Sequence, residues 1–235
     1  MPEQFLHGVE VVEIDSSPRP IQTLKSSVIG VVGTAPNADT EVFPINTPVL
    51  IAGQRTLAAK LGEGGTLPAA MDDIFDQVGA MVVVVRVDEE LNDAETLSNV
   101  IGGVDAQTGQ YQGIQALLGA SSDVHVTPRI LIAPEFTHHA AVANELLSVA
   151  ERLRAVVIAD GPNTNDSEAI NYRQLFGSAR LYLVDPWVRV WDTQTSVEVV
   201  RPASGRVAGL LAKSDSERGF WYSPSNQELR GLMGT

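Results

Sequence analysis

Met81-Val82-Val83-Val84-Val85-Arg86-Val87 is a nearly unbroken β-branched run, and its length and composition predict a strand buried on both faces. Just upstream, Met71, Ile74, Phe75 and Val78 recur at i, i+3, i+4 and i+7, the spacing of one apolar helical stripe. Thr66 as N-cap and Pro68 in the first turn complete the prediction of a helix over Leu67 to Gln77. Further upstream, Ser27 to Gly33 reads as a buried strand running into a Gly/Pro/Asn loop, Gly33 to Asp39, and Pro48 to Ala52 as another strand. Strand, helix and strand in this order are the mark of an α/β fold.

Downstream, the polar stretch Asp88 to Asp93 carries the chain to the surface, and Gly102-Gly103-Val104-Asp105-Ala106-Gln107-Thr108-Gly109 is rich in breakers. An internal domain boundary is expected there, giving residues 21–104 and 105–235 as separate units. In the second unit the alternation is regular. A short helix, Gly113 to Leu118, precedes a strand, Arg129 to Pro134; Ala143, Leu146, Leu147, Ala150 and Leu153 then form one stripe of a helix ending near Arg154. Strand Ala155 to Ala159, helix Ile170 to Phe176, strand Leu181 to Val184 and helix Pro202 to Lys213 follow. The expected fold class is α/β, a mainly parallel sheet covered by helices on both faces.

The 235 residues suffice for one or two domains with a real core. A formal net charge of −13 and the lack of any Lys/Arg-rich run exclude nucleic acid and anionic membrane as electrostatic partners. With no cysteine there is no disulfide framework, thiolate metal site or thiol nucleophile. The opening Met1 to His7 has neither a basic nor an apolar leader region, and the longest apolar run, Ala80 to Val85, is far short of the roughly 20 residues that span a bilayer, so a soluble chain is expected. Charged residues are 19% of the total against a usual figure of about 25%, consistent with part of the surface belonging in subunit contacts.

Val9-Glu10-Val11-Val12-Glu13-Ile14 reads as a strand, and Asp15-Ser16-Ser17-Pro18-Arg19-Pro20 cuts it off from the body. Such a strand must pair, either with its own domain or with a neighbour.

The residues that carry chemistry do not assemble a familiar site. Neither a G-x-G-x-x-G nor a G-x-x-x-x-G-K-[ST] loop occurs, and Gly62-Glu63-Gly64-Gly65 lacks a lysine. Ser204 in Pro202-Ala203-Ser204-Gly205-Arg206 is the nearest approach to a nucleophile elbow and reads better as the opening turn of a helix. Glu135, His138 and His139 offer metal-ligating groups, but adjacent histidines on a helix point about 100° apart. Asp160 to Asp166 is dense in oxygen ligands without the pattern of a calcium loop, and reads as a βα loop capping the next helix. His7 and His125 stand alone. Asp185-Pro186-Trp187 and Trp191-Asp192 suggest a sugar platform or, more simply, core and interface anchors. No catalytic residue, cofactor or metal site is assigned.

Several segments in order resemble contractile-tail sheath proteins of phages and R-type pyocins: His7 to Val11, Ser27 to Gly30, Pro48 to Ile51, Ile101 to Gly103, Pro128 to Leu131 and Leu153 to Ala155. The most specific are Phe176 to Pro186, Pro202 to Gly209 and Gly219 to Asn226. The resemblance spans essentially the whole chain. It implies a structural subunit, without catalysis, whose copies form a metastable helical sleeve around a tail tube and contract to drive the tube through a cell envelope. It further implies a subtilisin-like α/β sheath domain, here 105–235, a smaller outer domain inserted at 21–104, and an N-terminal exchange arm over residues 1–20. In that arm Val9, Val11, Val12 and Ile14 would donate a strand to a neighbouring subunit, with Pro18 and Pro20 as the hinge.

The implied partners are other copies of the chain, the tail tube protein, and baseplate and tail terminator proteins. The implied location is the virion tail or pyocin particle, assembled in the bacterial host cytoplasm. Sheath proteins of this type continue beyond the region matched by Trp221 to Leu232, so the resemblance implies either part of a longer protein or a short form whose second partner strand comes from elsewhere. Two rival readings are an α/β hydrolase or carbohydrate-processing enzyme using Ser204, His138, Asp160 or Asp185, and a ring-forming baseplate or tail-cap relative.

Overall fold

The computed structural model describes residues 27–192 and 195–235. The expected exchange arm, with Val9, Val11, Val12, Ile14, Pro18 and Pro20, lies outside the described residues.

The first strand, β1 (Ile29–Thr34), is buried throughout and lies inside the main sheet. After it come β2 (Pro48–Ala52), the short helix α1 (Arg55–Ala58), α2 (Thr66–Gln77) and β3 (Met81–Val87). β3 runs parallel to β1, whereas β2 pairs with β3 antiparallel and closes that edge. Thr66 does not cap α2 as expected, because Gly65 holds the N-cap position. Instead, Thr66 Oγ1 accepts from the Thr34 N–H at 3.1 Å while Thr34 Oγ1 accepts from the Thr66 N–H at 3.3 Å, welding the end of β1 to the start of α2. Gly65 is required here: its φ is +76°, and a Cβ would stand 2.5 Å from the Thr34 carbonyl oxygen.

The polar stretch after β3 leads into a helix that the apolar pattern did not reveal, α3 (Asp93–Ile101), capped by Asn92, whose side chain accepts from the Ala94 N–H. The breaker-rich zone is a hairpin of β4 (Gly103–Val104) and β5 (Tyr111–Gln112), whose turn is held by Asp105 Oδ1 accepting from the Gln107 and Thr108 N–H groups. A 3-10 segment, Gly113–Gly119, runs into α4 (Ala120–Asp123). Then come β6 (Ile130–Ile132), α5 (Ala140–Leu153), β7 (Val156–Asp160), α6 (Asp166–Gln174) and β8 (Leu181–Val184).

The main sheet has the order β2-β3-β1-β6-β7-β8, with every pairing parallel except β2 with β3. The α/β class and the mainly parallel sheet therefore stand. The expected separation near residue 104 does not follow the sheet. β1 pairs with β3 on one side and with β6 on the other, so within the described residues the stretch up to 104 has no sheet of its own. The alternation of β3 shows why: Val83, Val85 and Val87 enter the core beneath α5, and Val82 and Val84 enter the core beneath α2, so each strand serves both layers. Arg86, also buried, donates from Nε to the Phe43 carbonyl at 2.7 Å, so its polar head is met by main chain.

The last part adds β9 (Val188–Asp192), β10 (Val197–Arg201), α7 (Ser204–Arg218) and β11 (Leu232–Gly234). The three strands form a separate antiparallel sheet, β10-β9-β11, whose inner residues Val188, Val190, Val199 and Leu232 pack with Ala203 and Val207. α7 lies against α2 and shares with it the core that holds Ile158, Ala208 and Ala212.

Candidate functional site

Two buried polar constellations hold α7. At its N-terminal end, Asp160 closes β7 and is fully buried. Its Oδ1 accepts from the Ser204 N–H at 2.8 Å and its Oδ2 from Ser204 Oγ at 2.5 Å. Thr137 Oγ1 donates to Oδ2 at 3.3 Å and accepts from the Asp160 N–H at 2.8 Å, and the Tyr172 hydroxyl donates to the Thr137 carbonyl. A carboxylate at the positive end of a 15-residue helix is electrostatically well placed. Burial nevertheless pushes its pKa up to about 6, against the hydrogen bonds from Ser204 and Thr137 that favour the charged form.

Two residues further along α7, Arg206 Nη2 lies 2.8 Å from Asp73 Oδ1 and 3.3 Å from Asp76 Oδ2, both on α2. Arg201 on β10 adds a longer contact to Asp73, at 3.9 Å, and one to Asp192, at 3.4 Å. Asp73 and Arg206 are both buried, and burial raises the Asp73 carboxyl to about 6, opposed by the two guanidiniums. Nearby Asp72 is shifted up as well, chiefly by burial and then by Asp76.

These arrangements do not build a hydrolase. Ser204 and Asp160 are brought together, but the serine hydroxyl is buried and spends its proton on the carboxylate. Among the described residues no imidazole hydrogen-bonds to either of them. His138 stands next to His139, ring centroids 4.0 Å apart, and meets the edge of Trp187 at 6.2 Å. Burial and then the neighbouring imidazole hold its pKa low. Asp185 follows β8 through a cis bond to Pro186 and accepts from the Asn163 N–H at 3.0 Å. Trp187 donates through Nε1 to the Gly161 carbonyl at 3.1 Å, so it ties two loops together. Trp191 is exposed on β9, away from that position. Asn165 caps α6 by accepting from the Glu168 N–H, as the βα-loop reading expects. Among the described residues no group of three or more His, Asp or Glu is arranged to hold a metal, and no helix is long and apolar enough to cross a membrane. Glu135, near His138, is exposed with a φ of +70°, and His125 is exposed.

The surface is more informative. Trp191, Val200 and Met233 share the outer side of the three-stranded sheet, and each is more than half exposed. Phe220, Trp221 and Tyr222 follow α7, the Trp221 ring meeting each of the other two, and all three are more than half exposed. Among the described residues, both β10 and β11 have one side without a strand partner, as does β8, where Tyr182 is exposed. Exposed apolar side chains beside open strand edges are the features of a surface that other polypeptide covers.

Sequence reading missed Asp73, Gln77, Thr137, Tyr172 and Arg206 as a set, since their partners lie far apart in the chain. The fold and these constellations define an α/β scaffold whose buried polar groups tie its helices to its strands. The chain belongs to the phage tail sheath family: the description "Phage tail sheath protein central domain" matches residues 109–235, and "Tail sheath protein Gp18 domain III N-terminal region" matches residues 26–87.

The chain is 42% identical to a putative prophage major tail sheath protein of Pseudomonas aeruginosa, over 98% of this chain and 60% of that protein. It is also 42% identical to the tail sheath protein of Escherichia phage P2, over 98% of this chain and 59% of that protein. The chain thus spans about three-fifths of the length of these relatives. Among solved structures, a chain of the anti-feeding prophage baseplate in the contracted state superposes with a TM-score of 0.67 at 18% identity, covering 97% of this chain and 58% of that one. A chain of the anti-feeding prophage helical sheath in the contracted state gives 0.53 at 19% identity, over 97% and 58%. The shared fold is what these structures establish.

Proposed function

We propose that this chain forms the greater part of a contractile-tail sheath subunit, which polymerises into a metastable helical sleeve around a tail tube and contracts to drive the tube through a cell envelope. The observation that carries this reading is the 42% identity, along nearly the whole chain, to proteins named as tail sheaths. Open strand edges and exposed aromatic side chains support a role in assembly. The parallel sheet covered by helices supports a subtilisin-like body, with Ser204 and Asp160 used for packing in place of hydrolysis.

In this reading Val9, Val11, Val12 and Ile14 donate a strand to the neighbouring copy, and Pro18 and Pro20 form the hinge. The other partners are the tube protein and the baseplate and tail terminator proteins. The place of action is the virion tail or a pyocin particle, following assembly in the bacterial cytoplasm, and no cofactor takes part.

The test is negative-stain electron microscopy of the purified product of the complete natural reading frame. Hollow, helically striated tubes are expected. Closed rings would favour a baseplate or tail-cap relative, and a uniformly monomeric population would overturn the sheath reading.

A further inference from the structure

After α7 the chain doubles back, and residues 227–231 cross α2 and α7 before entering β11. No residue from 219 to 235 is buried, yet the groups that hold this segment are. The Gln77 amide reads both main-chain polar atoms of one residue: its Nε2 donates to the Arg230 carbonyl at 3.0 Å, and its Oε1 accepts from the Arg230 N–H at 2.9 Å. Arg206 Nη1 donates to the same carbonyl at 2.5 Å while its Nη2 stays with Asp73 and Asp76. Further back, Gln227 donates to the buried Ser214 hydroxyl at 3.1 Å. Gly231, at φ +74°, passes so close that a Cβ would stand 2.7 Å from Arg206 Nη1.

This is an exposed segment gripped by its main chain at one point. Water can replace each of these hydrogen bonds, and Arg206 keeps its carboxylate partners when the segment leaves, so no charge is orphaned by opening. Among the described residues little apolar surface opposes release, because Leu232 alone of this segment reaches the small core of the three-stranded sheet.

We propose that residues 227–234 form a releasable strap, latched by Gln77 and Arg206 on the Arg230 main chain, whose opening uncouples β11 from the α2–α7 pair while the six-stranded sheet stays folded. The strap couples two bodies of the fold through a contact that does not depend on the latched residue's side chain. It rests on geometry alone and stands apart from the assembly reading.

The test is hydrogen–deuterium exchange on the complete natural protein, comparing wild type with Gln77→Leu, Gly231→Ala and Arg230→Ala. In wild type, amides of residues 230–234 should exchange at least tenfold faster than those of β1, β3 and β6. Gln77→Leu acts from the socket and Gly231→Ala from the strap; each should speed strap exchange a further tenfold or more without moving those three strands. Arg230→Ala should leave strap exchange at the wild-type rate, because the latch reads main chain. Joint exchange of strap and sheet in wild type, no change in either latch variant, loss of protection in β1 and β3 together with the strap, or loosening by Arg230→Ala would each overturn the proposal.

Discussion

Gly209 on α7 lies so close to Ile74 on α2 that a Cβ would stand 2.8 Å from the Ile74 carbonyl oxygen. The same Cβ would be 3.0 Å from that of Gln77, while one on Gly205 would meet the Cβ of Asp73 at 3.2 Å. Two glycines four residues apart thus let the helices approach backbone to backbone, which brings Arg206 within reach of Asp73. Gly209→Ala should cost about 1–3 kcal/mol through overpacking, more than alanine's better helix propensity returns. Gly205→Ala should cost less, since its nearest contact, at 3.2 Å, is less close than the 2.8 Å at Gly209. Urea unfolding of both variants checks the order, and a more harmful Gly205→Ala would contradict it.

Among the described cationic side chains, removing Arg206 leaves the buried Asp73 with the longer contact from Arg201. Arg206→Met should therefore destabilise by about 3–5 kcal/mol, the usual cost of breaking a buried ion pair from one side. Asp73→Leu combined with Arg206→Met removes both charges and should recover much of that loss. A double-mutant cycle measured by chemical denaturation gives the coupling; purely additive losses would mean that the two groups do not act as a pair.

Asp160 should give an inverted pH signature. Its folded-state pKa, raised to about 6, exceeds the unfolded value near 3.8, so the folded chain holds the proton more tightly. The stability tied to this group is fully present below about pH 4 and is lost as pH rises through about 6. Asp160→Asn does not titrate, so its stability relative to wild type should climb between pH 4 and pH 7, by on the order of 3 kcal/mol. Thermal melts of both proteins across that range read the difference directly. A flat or falling difference would show that the carboxylate is charged without penalty.

If the arm donates a strand as proposed, proline at Val9, Val11 and Ile14 together would remove that capacity, because proline cannot donate to a strand ladder. Polymerisation should fail while the far-ultraviolet dichroism stays native. Normal tubes from this variant, seen by electron microscopy, would rule out the arm mechanism.

What could be read from sequence was whatever a local pattern records. The Val82 to Val87 run and the Met71-Ile74-Phe75 stripe announce β3 and α2 because burial on two faces or one leaves a period in the chain. Helix α3 has only Thr96 and Val100 buried, which is too thin a stripe to see. β9 and β10 have short alternations broken by Trp191 and Val200, and among the described residues they pair only with each other and with β11, with no helix between them to mark the boundary. Thr66 looked like a cap because its true partner, Thr34, lies 32 residues away. The same holds for Ser204 with Asp160, 44 residues apart, and for Gln77 with Arg230, 153 apart. Such partners meet only when the whole sheet is in place.

The position of β1 inside the sheet sets the order in which the protein can be made. β1 is the first described strand to leave the ribosome, yet Ile29 must wait for Ile130, about a hundred residues later, before its second edge is covered. Until then a valine-rich parallel pair is exposed in the nascent chain. Pairing over such a span carries a large loop-closure cost and folds slowly. Each copy of the chain is therefore expected to pass through an aggregation-prone stage that ends only when β6 joins β1.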